Sequence, residues 1–258
     1  MLYALAIGMG SDPENVKELP FVYEKNLKAV PTLATVVAWG ANIGPEKLGL
    51  NRALTVHGEE SITWHRPIPA AGSVIASSRV VAVYDKGEKG AVVERETQLR
   101  DIDGALLVSL CRTAFARGDG GFGGHAQGGP ELHAIPERAP DLVKECDTRP
   151  DQAFLYALSG DRNPLHRDPA FAKLVGFPRP ILHGLCSYGT ACRAVLSTLA
   201  EYQPERIKQF DVRFSKPVFP GETLVVEMWQ DGGTISYRAS VKERPGTVVL
   251  NNGLCQLA

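Results

Sequence analysis

The sequence lacks an excess of charge of either sign. Its 258 residues carry 28 lysine and arginine side chains against 29 aspartate and glutamate side chains, a formal net charge of -1 at pH 7. A chain near neutrality has no general attraction for nucleic acid or for an anionic membrane surface. A local basic patch could still hold a phosphorylated ligand. The charge balance therefore favours a small molecule as partner and predicts no nucleic-acid or membrane partner.

Cysteine motifs, a signal segment and long apolar runs are lacking too. The five cysteines are scattered without a Cys-x-x-Cys pair, so neither a disulfide framework nor a zinc ribbon is indicated. The amino-terminal stretch has no basic segment before its apolar residues, and no stretch approaches the ~20 apolar residues of a membrane helix. The ending CQLA does not resemble a peroxisomal Ser-Lys-Leu signal. We therefore expect a protein of the cytoplasm.

What the sequence does contain is a weak internal repeat on either side of a segment rich in glycine and proline. Residues 118–141 lack a periodic apolar pattern and are predicted to link a first repeat, residues 1–117, to a second, residues 142–258. Both repeats contain short runs in which β-branched and polar residues alternate between turn signals, such as Asp103-Gly104 and Asn251-Asn252-Gly253. Each is therefore predicted to form an antiparallel sheet in a duplicated fold.

The two repeats differ in the segment that precedes the sheet. Residues 181–200 of the second repeat carry apolar and small residues without a helix breaker for about five turns, and predict one long helix. Asp168-Pro169 and Gly176 are the start and stop signals of a shorter helix before it. The first repeat has no room for such a long helix. The predicted class is α+β, with a space in the first repeat where the helix is reduced or missing.

The motif with the most chemical content is GDRNPLH, residues 160–166. Pro164 pushes Asn163 toward an extended conformation, so the chain should turn at residues 160–163 with Asp161 and His166 on the two sides of a rigid bend. A carboxylate and an imidazole that converge on one water can remove one proton and deliver another, which is what adding water to a double bond requires. For each residue alone, a turn or cap is the structural alternative.

The stretch YALSGDRNPLH, residues 156–166, resembles the hydratase 2 motif of the MaoC-like dehydratases, and HGEESITWHRPIP and ILHGLCSYG extend the resemblance over nearly the whole chain. It is most similar to (R)-specific 2-enoyl-CoA hydratases with two hot-dog repeats, including the hydratase part of peroxisomal multifunctional enzyme type 2. The resemblance implies a double hot-dog of two antiparallel sheets that adds water reversibly to trans-2-enoyl-CoA and gives (R)-3-hydroxyacyl-CoA. No cofactor is expected, because coenzyme A belongs to the substrate, and we expect a homodimer.

The family's site residues carry over at matching positions. Asp161 and His166 would form the acid and base pair, with either as the base, and Asn163 would help to hold the site. Gly184 matches the position whose backbone N–H polarises the thioester carbonyl. Gly184 also lies where the long helix should begin, and the unpaired N–H groups and partial positive charge of a helix start favour a developing oxyanion.

Four further residues are candidate substrate contacts. His183 could orient Gly184 or the thioester, Tyr156 fills the aromatic position of the motif, and Arg213 and Lys216 could meet the phosphates of coenzyme A. Packing or simple solvent exposure is the alternative for each. No metal site is predicted, because the histidines of the linker lack acidic or cysteine companions.

Three other functions stay open at this point. Dehydration of a 3-hydroxyacyl thioester would use the same catalyst, a hot-dog acyl-CoA thioesterase would release a free thiol, and a non-catalytic acyl-CoA-binding protein would show no turnover. The non-catalytic first repeat is expected to hold the acyl chain in the space left by the missing helix, with Val36 and Trp64 as suggested lining residues.

Overall fold

The computed structural model describes residues 1–258, apart from the side chain of Ala53, and contains six α-helices and nine β-strands in that part of the chain. The helices are α1 (Leu2–Ala6), α2 (Leu19–Val22), α3 (Ala34–Val37), α4 (Gln152–Ala157), α5 (Pro169–Leu174) and α6 (Gly184–Thr198). The strands are β1 (Thr55–Trp64), β2 (Ile75–Asp85), β3 (Ala91–Arg100), β4 (Leu106–Ala116), β5 (Leu142–Asp147), β6 (Ile207–Phe214), β7 (Thr223–Asp231), β8 (Thr234–Val241) and β9 (Val248–Leu257).

All nine strands join one antiparallel sheet, in the order β2-β3-β4-β1-β6-β9-β8-β7-β5. Outward from the central β1–β6 pair, the two halves run β1-β4-β3-β2 and β6-β9-β8-β7, so the repeat expected from the sequence recurs in the topology. The predicted α+β class is confirmed. The two predicted sheets are the halves of one continuous sheet, because β1 and β6 pair edge to edge and place Ser61 opposite Asp211.

The turn predicted at Asn251-Asn252-Gly253 is wrong. These residues lie inside β9, where Asn252 has a φ of 55° and the pairing with β6 shifts register beside Arg213. Asparagine and glycine favour left-handed backbone, and a β-bulge uses that conformation as readily as a turn does. The signal at Asp103-Gly104 was interpreted correctly, because this pair joins β3 to β4.

Helix α6 is the centre of the second half, around which its strands wrap. It begins at Gly184, where the sequence predicted the start of the long helix, and is buried along most of its length because its small side chains let neighbours approach closely. A Cβ atom at Gly189 would lie 2.6 Å from Ile7 Cγ2 and 2.8 Å from the Tyr3 hydroxyl, so α1 packs directly on α6 there. At 15 residues α6 is also the longest helix described, and none of the described helices has the length and apolar character to cross a membrane.

In the first half, short helical turns stand where a counterpart of α6 would lie. They run from Pro31 to Ala41, include α3, and pack over the inner face of β2, β3 and β4. The absence of a long helix before β1 was predicted from the sequence. The inner face beneath these turns carries ionised side chains among its apolar ones.

The segment predicted to be a linker contains no helix or strand among the described residues of 118–141. Its later part follows the sheet of the second half: the Trp229 indole N–H donates to the Arg138 carbonyl at 2.7 Å, and the Asn252 amide donates to the His133 carbonyl at 2.9 Å. Its earlier part contacts the first half, where Asp85 accepts the Gly121 and Gly123 N–H groups. The boundaries of the two repeats on either side of it stay a prediction.

Candidate active site

The loop of residues 160–166 is built by two successive side-chain-to-backbone turns. Asp161 Oδ1 accepts the Asn163 N–H at 3.0 Å, and Asn163 Oδ1 accepts the Leu165 N–H at 3.1 Å. Gly160 opens the loop with a φ of 125°, a conformation that a residue with a Cβ rarely adopts, and its Cα faces the ring of Trp39. The loop that the sequence predicted is thus held by the side-chain oxygens of its own polar residues.

His166 is placed as a neutral imidazole with one free nitrogen. Its Nδ1 lies 2.9 Å from the Ile181 carbonyl oxygen. A carbonyl only accepts, so Nδ1 carries the proton and Nε2 keeps its lone pair. Burial lowers the pKa of His166, and the nearby Asp161 carboxylate opposes that effect without reversing it. Near neutral pH the side chain is therefore a proton acceptor.

His183 stacks on the ring of His166 and also contacts the backbone of the loop. The two rings are 3.8 Å apart and inclined by 30°, and His183 Nε2 lies 3.3 Å from the Asp161 carbonyl oxygen. Burial, and then the proximity of His166, lowers the pKa of His183 to about 3, so it is uncharged. Tyr156 packs on His183 at 4.9 Å and is only 1% exposed, which is the position of a supporting ring.

The same three side chains satisfy the distance requirement of a metal site. One ligand atom each from Asp161, His166 and His183 lies within 4.8 Å of the others. The sequence predicted no metal, and a carboxylate beside two imidazoles is also what general acid–base chemistry uses. Treatment with a chelator distinguishes these alternatives.

Gly184 brings a helix start to this cluster. It is the first residue of α6, directly after His183, so its N–H has no acceptor within the helix and lies at the positive end of the helix dipole. A Cβ atom here would lie 3.2 Å from the Phe214 ring, so glycine lets that ring pack closely against the helix start. A polarised N–H therefore lies beside the Asp161 and His166 loop.

A buried ionic cluster from the first half completes the surroundings. The Glu60 side chain has no exposed area and accepts two hydrogen bonds from Arg112, at 2.7 and 3.1 Å. His57 Nε2 lies 2.9 Å from Glu60, and the His57 ring packs on Phe214 at 4.6 Å. This cluster was not predicted from the sequence. The available signal was that charged residues occupy inward-facing positions of their strands, where a charge is unusual.

Two of the predicted coenzyme A contacts are not brought to the cluster. Arg213 lies next to Phe214 on β6, so its side chain leaves the sheet on the opposite face, half exposed and 3.7 Å from Glu59. Lys216 is exposed after the end of β6. Their role in binding stays a prediction. Trp64 lies toward the other end of β1, where it lines a separate pocket with Ile207 and Lys208.

Comparison with known proteins agrees with this geometry. Residues 1–118 match the MFE-2 hydratase 2 N-terminal domain, and residues 131–252 match the MaoC like domain. The chain is 41% identical to "Enoyl-CoA hydratase 2, peroxisomal" of Arabidopsis thaliana, over 96% of this chain and 86% of that protein. It is 40% identical to "Enoyl-CoA hydratase ChsH3" of Mycobacterium tuberculosis, over 97% and 88%.

Among solved structures, the MaoC-like dehydratase of Phytophthora capsici superposes with a TM-score of 0.88 at 38% identity, covering all of this chain and 90% of that one. The fold is therefore the double hot-dog of MaoC-like proteins. The chain belongs to the MaoC-like dehydratase family, in the group that carries the MFE-2 hydratase 2 N-terminal domain.

Proposed function

We propose that the protein adds water reversibly to trans-2-enoyl-CoA and forms (R)-3-hydroxyacyl-CoA. The observation that carries the proposal is the meeting of Asp161, a neutral His166 and the start of α6 in one cluster. A water held between the two side chains gives one proton to His166 Nε2 while its oxygen attacks C3. The imidazolium then returns that proton to C2, and the second hydrogen stays on the new hydroxyl group. Asp161 accepts a hydrogen bond from the water and balances the imidazolium charge.

The backbone N–H of Gly184 stabilises the negative charge that develops on the thioester oxygen. When oxygen attacks C3, electron density moves to the thioester oxygen, and the product of that step is an enolate-like species. A fixed N–H donor at a helix start stabilises this charge without reorganising, an effect worth about 3 to 4 kcal/mol in comparable oxyanion sites. Asn163 acts by keeping Asp161 and His166 in one rigid loop, through the bonds that its own backbone and side chain make.

The reaction and its stereochemistry are tested together. We expect purified protein to consume the conjugated double bond of trans-2-octenoyl-CoA and to yield the (R)-3-hydroxy product. In deuterated water, deuterium and hydroxyl should enter on the same face, because one side chain both takes and returns the proton. An (S) product or anti addition contradicts the mechanism. Release of free coenzyme A thiol identifies a thioesterase, and binding without turnover identifies an acyl-CoA-binding protein.

We propose further that the reaction needs no metal or other cofactor. His166 Nδ1 and His183 Nε2 are already directed at backbone carbonyls, and proton transfer through the remaining imidazole nitrogen requires no Lewis acid. Treatment with EDTA followed by dialysis is expected to leave kcat within about twofold of its starting value. Such a change is much smaller than the tenfold change in rate that about 1.4 kcal/mol of activation free energy produces. Loss of activity that added Zn²⁺ restores would show that the three side chains hold a metal.

The organisation proposed around this site follows the sequence prediction. Residues 1–117 form the non-catalytic repeat, which contributes the acyl pocket, and residues 142–258 form the catalytic repeat. We propose that the chain works as a homodimer on acyl-CoA substrates and that it is located in the cytoplasm. Some relatives have "peroxisomal" in their names, so imaging of the tagged protein in cells tests the location. Because a catalyst accelerates both directions, dehydration of 3-hydroxyacyl thioesters is the same activity run in reverse.

A further inference from the structure

The dipeptide His-Gly occurs twice in the sequence, at residues 57–58 and 183–184. The proposed mechanism uses only the second pair. The first pair lies in β1, and the ring of His57 packs on the ring of Phe214 from the second half, with 4.6 Å between their centroids. A histidine without a role in proton transfer therefore lies beside the proposed site.

A β-bulge turns His57 toward the inner face of the sheet. Between His57 and Glu60 the pairing of β1 with β4 shifts register, so that Gly58 and Glu59 stand opposite the single residue Thr113. In a regular strand, residues three apart point to opposite faces, but the extra residue brings His57 to the same face as Glu60. A Cβ atom at Gly58 would lie 2.6 Å from Thr113 Oγ1, which favours glycine at the bulge. Bulges that re-aim a side chain are frequent next to functional sites.

The tautomer of the His57 ring is fixed by two acceptors. His57 Nε2 lies 3.2 Å from the Glu59 carbonyl oxygen and 2.9 Å from Glu60 Oε2. Both oxygens only accept hydrogen bonds, so Nε2 carries the proton and Nδ1 keeps its lone pair. Two hydrogen bonds from Arg112 keep the Glu60 carboxylate in place. Burial lowers the pKa of His57, and Glu60 opposes that effect without reversing it, so the ring is uncharged near neutral pH.

The Nδ1 atom of His57 is open to a ligand. It has no hydrogen-bond partner among the described residues, and the side chain is 25% exposed. An imidazole that a buried carboxylate holds in one tautomer, with its second nitrogen free, is a preorganised hydrogen-bond acceptor. The structure therefore offers an acceptor at the boundary between the two halves.

Phe214 connects this acceptor to the proposed oxyanion donor. Its ring packs on His57, and a Cβ atom at Gly184 would lie 3.2 Å from the same ring. The Gly184 N–H and the His57 ring therefore border one phenyl ring. In a CoA thioester, two methylene groups separate the sulfur from the first amide of the pantetheine arm, and methylene groups pack well on an aromatic ring.

We propose that His57 is a substrate-binding residue whose Nδ1 accepts a hydrogen bond from the first amide N–H of the pantetheine arm. With the thioester oxygen at the Gly184 N–H, the two methylene groups would lie along Phe214 and bring the amide to Nδ1. His57 therefore selects thioesters that carry an N–H at this position, as CoA thioesters do, over thioesters that lack it. The inference rests on the proposed hydratase function, to which it adds a binding residue from the first half.

The experiment compares two small substrates that differ in one group. Hydration is measured with the trans-2-octenoyl thioesters of N-acetylcysteamine and of 2-mercaptoethyl acetate, in which an ester oxygen replaces the amide N–H. The native protein is expected to prefer the N-acetylcysteamine substrate by about fivefold to tenfold in kcat/KM, as one hydrogen bond permits. The ester oxygen has no proton to donate to the Nδ1 lone pair.

Substitutions of His57 distinguish binding of the amide from support of Phe214. His57→Phe keeps a ring against Phe214 without an acceptor, so the preference should fall to about one. His57→Asn brings an amide oxygen close to the position of Nδ1 and should retain part of the preference. If His57 only supported Phe214, and through it Gly184, His57→Phe would lower kcat for both substrates alike. The ratio would then stay at its native value, and the inference would be wrong.

His65→Phe is the matched control. His65 is exposed on the loop after β1, with its Nε2 3.0 Å from Ser109 Oγ, so its loss should leave the amide-to-ester ratio at the native value. Should His57→Phe fail to fold, the preferences of the native protein and of His57→Asn decide the question. A native protein that hydrates both substrates with equal kcat/KM overturns the role of His57 alone. A protein that hydrates neither of them, nor trans-2-octenoyl-CoA, overturns the proposed function.

Ligands that cannot be hydrated give a readout besides activity. Octanoyl thioesters have no conjugated double bond. The octanoyl thioester of N-acetylcysteamine is expected to raise the Tm of the native protein and of His65→Phe more than that of 2-mercaptoethyl acetate does. In His57→Phe the two ligands should raise the Tm equally. A preference for the amide ligand that persists unchanged in His57→Phe would show that the amide binds elsewhere and would contradict the inference.

Discussion

Asp161→Asn and His166→Ala are each expected to lower kcat by about 10² to 10⁴, the usual contribution of a positioned proton-transfer group. The alanine removes the imidazole nitrogen that is proposed to accept the proton of water. The asparagine keeps the turn, because its amide oxygen still accepts the Asn163 N–H, but it removes the charge that balances an imidazolium. KM should change little in either variant. Steady-state kinetics with trans-2-octenoyl-CoA and circular dichroism of each variant check the result.

Two substitutions of the same chemistry serve as controls. Asp168 caps α5 a few residues further along, with its Oδ1 accepting the Ala170 and Phe171 N–H groups, and asparagine caps helices equally well. His65 is exposed on the loop after β1, with its ring near Ser109. Asp168→Asn and His65→Ala should both keep kcat within about twofold. A folded Asp161 or His166 variant with the same near-native turnover would remove that residue from the mechanism.

The loop of residues 160–166 could be predicted from the sequence because its structure is local. Proline at 164 and side-chain oxygens at 161 and 163 fix the turn within seven residues, independently of the rest of the fold. Helix α5 followed from its Asp168 cap and from Gly176, which has a φ of 90°. The start of α6 at Gly184 was predicted too; the apolar run begins earlier, at Ile181, but the Leu182 N–H donates to the Val218 carbonyl instead of joining the helix.

The surroundings of the loop could not be predicted, since they depend on which strands become neighbours. Glu60, Arg95 and Arg112 lie on three strands, and nothing within one strand indicates that β4 inserts between β3 and β1. The sequence signal that was available is a charged residue at an inward-facing position of each strand. Arg213 and Lys216 were predicted as phosphate contacts because they lie close together in the sequence at the end of β6. Strand alternation places Arg213 on the face of the sheet opposite to Phe214, which could not be seen from their positions in the sequence alone.

The first half contacts the proposed site although none of the predicted acid and base residues lies in it. It reaches the second half through two contacts, His57 with Phe214 and Trp39 with Gly160. Phe214 in turn packs on Gly184. The donor at the start of α6 is therefore positioned by a residue that the first half supports.

Glu60→Gln is expected to lower the free energy of unfolding by about 3 to 5 kcal/mol at pH 7, because it leaves Arg112, whose side chain is only 13% exposed, without its carboxylate and facing Arg95. Burial alone would raise the pKa of Glu60, but Arg112 and then His57 lower it from 4.5 to about 2. A depressed folded-state pKa means that the stabilisation is complete above about pH 4.5 and is lost as the pH falls toward 2. The shift corresponds to about 3 kcal/mol.

Urea unfolding of the native protein and of Glu60→Gln from pH 7 down to pH 3 measures this contribution. The difference in unfolding free energy should be constant above pH 5 and shrink steadily below pH 4.5. Glu96→Gln is the matched control, since Glu96 lies on β3 and pairs with the exposed Arg79; its cost should stay under about 1 kcal/mol. A cost for Glu60→Gln as small as that of the control would mean that Arg112 finds other compensation.

A second substitution in the Glu60→Gln background tests whether repulsion between the two arginines is part of the cost. With Glu60 neutral, Arg95 and Arg112 face each other as directly paired residues, and changing Arg95 to methionine removes that repulsion while keeping an unbranched side chain of similar reach. Glu60→Gln with Arg95→Met is therefore expected to be more stable than Glu60→Gln alone, by about 1 to 2 kcal/mol, a coupling of the size that residues in one ionic network show. Arg95→Met in the otherwise native protein measures the repulsion between the two arginines that remains while Glu60 is ionised. If the double variant is less stable than Glu60→Gln, Arg95 is held by its bonds to Ile43 and Asn42 as a structural ion, and the two arginines do not oppose each other.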